Sequence, residues 1–75
     1  MNDKHEYNSE NGSRFKVIFS NKVVNREVLL EVTNTNTLER YYSNPKKKFN
    51  NQKDIVHYLK EHVETDGLII RVIGV

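Results

Sequence analysis

Apolar and polar residues alternate with a period of two from Arg14 to Ser20, with Phe15, Val17 and Phe19 on one side and Lys16, Ile18 and Ser20 on the other. This period predicts a half-buried strand. Asn21 and Lys22 then open a loop that closes near Asn25, and a second strand is predicted over Glu27–Thr33. There Val28, Leu30 and Val32 face away from Glu27, Leu29, Glu31 and Thr33. The turn formers Asn34, Thr35 and Asn36 predict a hairpin into a third strand over Thr37–Ser43. In that strand Leu38, Arg40 and Tyr42 lie opposite Glu39 and Tyr41, and the weaker separation of the two faces marks a sheet edge.

Asn44 and Pro45 stop the third strand, because proline has no amide hydrogen for a ladder and restricts the residue before it. Beyond them the period changes. Ile55, Tyr58, Leu59, His62 and Val63 recur at helical spacing, with Lys53, Asp54, His57, Lys60, Glu61 and Glu64 on the solvated side. Asn51 is placed to cap this helix, with Asp54 in its first turn, and Gly67 is expected to end it in a left-handed conformation. The last segment, LIIRVIGV, is apolar on both faces except at Arg71 and Gly74 and reads as a final strand.

The predicted fold is α+β: a mainly antiparallel sheet of 3–4 strands packed on one face by a single helix, in the order β-β-β-α-β. One helix covers one face of a sheet. The second face is left with Ile18, Leu29, Tyr41, Ile69 and Ile73, the Tyr41 ring pointing away from the helix. A monomer seldom exposes so large an apolar patch, so a homodimer or another protein partner on this face is one expectation. The alternative is that charged stems such as Lys16 and Glu31 cover it.

Residues 1–13 are polar apart from Met1 and Tyr7 and end in Asn11, Gly12 and Ser13. A segment of this composition buries too little apolar surface to offset the entropy of ordering it, so 1–13 is expected to be a flexible tail and 14–75 a single domain. Its net negative charge suggests a second role, screening basic residues elsewhere. The absence of cysteine removes disulfides and thiolate metal sites and fits a reducing compartment. The N-terminal stretch lacks the apolar core of a signal peptide, and GLIIRVIGV is far shorter than the roughly 20 residues of a membrane-spanning helix. A cytoplasmic protein without membrane contact is expected.

Charge changes this picture in one place. The stretch Arg40–Lys53, RYYSNPKKKFNNQK, holds five of the 12 basic residues and no acid. The remaining 7 basic and 10 acidic residues leave the rest of the chain at −3, although the whole carries +2. Cations that replace phosphate counterions, interleaved with aromatic rings on which bases stack, are the ingredients of a nucleic-acid contact. The candidate contacts are Arg40, Tyr41, Lys46, Lys47, Lys48 and Lys53. Phe49 is the better candidate for an anchor at the start of the helix. The competing reading is a solvated lysine loop beside an edge strand that uses charge against aggregation.

Catalytic constellations are weak. No glycine-rich phosphate loop is present, and His57 and His62, five apart, point to different sides of a helix. Asp54, His57 and Glu61 do share a helical face, a row that suits a solvated surface better than a metal or proton-transfer site. His62 is expected to be half-buried and hydrogen-bonded through one ring nitrogen. The chain is therefore read as a binding module, not an enzyme, with no cofactor. It is expected to be nucleic-acid-associated or regulatory; the alternative is a protein-interaction module, an inhibitor or adaptor, using the open sheet face.

Three strands followed by a helix, with KKFNNQKDIVHYLKEH at the junction, broadly resembles the small arm-binding domains of tyrosine recombinases and the plant AP2 type. That resemblance implies DNA contact from the strands. The chain departs from it by having no tryptophan, by Glu27, Glu31 and Glu39 on the strands, and by a strand after the helix.

Overall fold

A computed structural model describes residues 4–20 and 22–75. Its elements are β1 (Lys4–Asn8), β2 (Arg14–Phe19), β3 (Val28–Asn34), β4 (Arg40–Ser43), α1 (Gln52–His62) and β5 (Leu68–Gly74). They form a five-stranded mixed sheet in the order β1-β2-β5-β3-β4, with α1 on one face. The α+β class and the single helix agree with the sequence reading. The count of 3–4 strands does not, because β1 adds a fifth. Three of the four strand pairs are antiparallel, in keeping with a mainly antiparallel sheet, but β5 enters between β2 and β3, running parallel to β2 and antiparallel to β3. Its apolar residues on both faces suit that central position, flanked by a strand on each side. The likeness to a three-stranded antiparallel sheet fails at the same point, because β2 and β3 are not neighbours.

The additional strand comes from the stretch expected to be flexible. β1 pairs antiparallel with β2, placing His5 opposite Val17 and Tyr7 opposite Phe15. The turn between them is closed by Ser9 N–H donating to Ser13 C=O (2.8 Å) and Gly12 N–H donating to Ser9 C=O (3.0 Å). Ser9 is buried, and its hydroxyl donates to Asn11 Oδ1 and accepts from Ser13 N–H. This turn also docks on the helix and the segment that follows it: Glu10 N–H donates to Lys60 C=O (2.9 Å) and Ser13 Oγ donates to Glu64 C=O (3.1 Å). Tyr7, the one large apolar residue of the segment, packs on Phe15 at 5.8 Å between ring centroids. Composition counts apolar residues but not backbone pairing, and the sheet supplies the pairing. The flexible stretch is thus corrected for residues 4–13; residues 1–3 lie outside the described residues. β1 lies at the opposite edge of the sheet from β4.

The core lies between α1 and one sheet face. Phe15 and Val17 of β2, Val28, Leu30 and Val32 of β3, and Leu68, Ile70 and Val72 of β5 meet Ile55 and Leu59 of the helix, together with Val23, Phe49 and Val63. Asn51 caps α1 as expected, its side chain accepting from Asp54 N–H at 2.9 Å. The C-terminus differs. The helix stops at His62, and Val63 turns to an extended conformation while its side chain stays in the core. Gly67 does adopt a left-handed φ of +80°, but at the start of β5, where a Cβ would lie 3.0 Å from Thr35 Oγ1. Its carbonyl accepts from Thr35 Oγ1 (2.7 Å), tying β5 to the β3–β4 turn.

His62 is exposed, not half-buried; its ring stacks on Tyr58 at 4.1 Å and Nδ1–H donates to Tyr58 C=O at 2.7 Å. No helix among the described residues is long and apolar enough to cross a membrane.

Candidate nucleic-acid interface

The lysine loop is held at both ends. Asn44 Oδ1 accepts from Lys46 N–H (2.8 Å), and Lys46 takes a left-handed φ of 57°. Lys48 forms an antiparallel bridge with Glu27, and Phe49 C=O accepts from Asn25 N–H at 2.7 Å. Phe49 itself is buried, in keeping with its reading as an anchor. Lys46, Lys47 and Lys48 are all exposed. Lys47 Nζ sits 5.0 Å from the Phe49 ring centroid and 5.5 Å from that of Tyr58, on the helix side of the sheet. A cation over a ring face is attracted by the ring quadrupole. Among the described residues no carboxylate lies within ion-pair distance of these three lysines.

The remaining members of the predicted site do not gather around this loop. Arg40 and Tyr42 pair with Thr33 and Glu31 on the open face of the sheet. Arg40 Nη1 reaches Glu31 Oε1 at 3.9 Å, and Tyr42 Oη donates to Glu31 Oε2 at 3.2 Å. Tyr41 pairs with Val32 and lines a cavity with Leu30, Tyr58 and His62. It therefore faces the helix side, which corrects its reading as an outward ring. The alternation along the third predicted strand was right, but which parity faced the helix was not decided by the strand alone. Tyr42, 59 % exposed, is the aromatic residue that shares a face with Arg40.

Lys53, in the first turn of α1, lies in a third place. It lines a groove of about 690 Å³ between α1 and the β1–β2 edge, floored by Tyr7, Phe19 and Val56 and rimmed by His5, His57 and Lys60. Asp54 is the acid in this lining. Lys60 Nζ stands 5.5 Å from the Tyr7 ring centroid. Lys60, His5 and Tyr7 were not selected from the sequence, because the groove exists only once residues 4–8 are a strand. On the solvated side of the helix, His57 Nε2 and Glu61 Oε1 are 2.8 Å apart. No three metal-ligating side chains converge among the described residues.

The open face carries the four residues read as a partner interface. Ile18 is only 8 % exposed, and Leu29, Ile69 and Ile73 are partly buried. Arg71 stands between Ile69 and Ile73 on this face, opposite Ile18 on one side and Glu31 on the other. The Glu31 side chain is 15 % exposed beneath Arg40. At the end of the face Arg14 meets Asp66, whose Oδ1 accepts from Arg14 N–H at 2.7 Å. That backbone hydrogen bond, helped by the Arg14 guanidinium, holds the Asp66 carboxyl below the ordinary aspartate range.

No protein-family model, curated protein or solved structure matches this chain.

Proposed function

We propose that this protein is a small non-enzymatic binding module that associates with nucleic acid, with Lys46, Lys47 and Lys48 as its phosphate contacts. The observation that carries the reading is three consecutive exposed lysines, without ion-pair partners among the described residues, on a loop tied down by Asn44, Phe49 and the Glu27–Lys48 bridge. Such a loop presents charge at low ordering cost, and each phosphate it neutralises releases counterions. Lys53 is a separate cation at the helix start, in the groove beside β1. Arg40 contributes least, being directed to the opposite face and engaged with Glu31.

The test is a mobility shift of labelled DNA and RNA at low salt. Wild-type protein shifts the probe with a salt slope of which about 2–3 comes from these three contacts, and the K46A/K47A/K48A variant loses the shift. A wild-type protein that shifts neither probe at low salt ends the reading.

A second reading is favoured by the placement of Ile18, Leu29, Ile69 and Ile73 on one face across three adjacent strands. In that reading the face docks a protein, including a second copy of this chain. Sedimentation of wild type and Leu29→Asp tests the homodimer: a monomeric mass for both rules it out.

A further inference from the structure

We infer that the groove between β1 and α1 receives one nucleotide unit of a single strand, its base against the apolar floor and its phosphate between Lys53 and Lys60. This rests on the nucleic-acid reading above and adds to it a preference for single strands. The size fits: about 690 Å³ lies within the roughly 300–1,000 Å³ of small-ligand clefts, which combine an apolar lining with a few convergent polar groups. The floor is the second element. Tyr7 and Phe19 are packed against the core yet only partly buried, so each leaves ring surface toward the groove. Aromatic surface at the bottom of a cationic cleft is what base stacking uses, and it is tolerant of sequence because every base has a π-face.

Charge decides the orientation. Lys53 and Lys60 lie seven residues apart along α1, two helical turns, and both line the groove. Asp54 is the acid they must outweigh, with His5 and His57 on the same rim. Lys60 currently rests over Tyr7. A stacked base displaces that ammonium from the ring and leaves it at phosphate height. A duplex keeps its bases paired inside and cannot fill the floor, so it gains only the lysine-loop contacts.

The experiment measures anisotropy of a labelled oligothymidine and of a labelled duplex, with wild-type protein, Phe19→Leu, Lys60→Glu and K46A/K47A/K48A. Phe19→Leu keeps an apolar side chain of similar bulk, and circular dichroism confirms that each variant is folded. The expected result is a loss of about 5-fold or more in single-strand affinity for Phe19→Leu, with duplex affinity unchanged. Lys60→Glu weakens the single strand and lowers its salt slope by about 0.7 or more. Single-strand affinity unchanged in both groove variants, while the loop variant still abolishes binding, overturns the groove and leaves the nucleic-acid reading standing. No binding of either probe by wild type overturns both. Amide shifts on adding oligothymidine provide the check independent of variants: they appear at Tyr7, Phe19 and Val56 if the groove is occupied, and only around residues 44–50 if it is not.

Discussion

The two faces of this sheet are built from the same strands and obey different rules. On the helix side, Ile70 and Val72 are almost completely buried within one continuous apolar cluster. One residue away on the same strand, Ile69 and Ile73 share the open face with Arg71, beside Glu31, Arg40, Tyr42 and Lys16. Within this chain the open face carries a small polar network, in which Glu31 meets Arg40 and Tyr42, where the helix side carries an apolar cluster. Ile18 is 8 % exposed on this face. The exposed side mixes apolar and charged positions along its central strand, with Arg71 between Ile69 and Ile73.

The two faces part most clearly at neighbouring residues of β5. Ile70→Ala removes a buried side chain that α1 cannot move in to replace, and is expected to cost about 2–5 kcal/mol in urea denaturation. Ile69→Ala, one position along the strand, is expected to cost under about 1.5 kcal/mol. Equal losses would mean that the open face is covered as fully as the core. A smaller effect tests the polar network: Glu31→Ala frees Arg40 and Tyr42 together and is expected to cost about 0.5–1.5 kcal/mol. Lys16→Ala, whose side chain makes no hydrogen bond or ion pair within the described residues, is expected to fall within about 0.5 kcal/mol.

The smallest effect concerns acid. Because the Asp66 carboxyl is held below its ordinary value by the Arg14 N–H, its contribution is present above the unfolded-state pKa of about 3.9 and is lost as the pH falls through the folded-state value. Asp66→Asn should therefore lower the melting temperature slightly at neutral pH and flatten the acid end of the stability curve. An unchanged curve below about pH 4 would show that the Asp66–Arg14 contact does not persist in solution.

Much of the architecture was legible along the chain. The period of two placed β2 and β3 within a residue or two, the turn formers marked the β3–β4 hairpin, and Asn51 capped the helix as its side chain and position suggested. Gly67 was recognised as left-handed but assigned to the wrong junction, since five residues of extended and turn structure separate the helix end from β5. The candidate site was legible in part. The lysine loop and its Phe49 anchor stand where they were read, whereas Arg40, Tyr41 and Lys53 point to three different surroundings. Charge and aromatic content along a segment do not specify the face on which each side chain lands, and a four-residue edge strand between two turns resets that parity.

The sequence by itself determined the alternation that makes strands, the helical stripe from Ile55 to Val63, and the excess of positive charge between Arg40 and Lys53. Each is a local property, set by spacing along the chain. Only the tertiary structure decided that β5 inserts between β2 and β3, that residues 4–8 become a strand, and that the groove against α1 exists. Those outcomes depend on backbone partners that lie far apart in sequence, and a polar segment with one tyrosine is ordered because β2 offers it a ladder and Phe15 a surface to pack on.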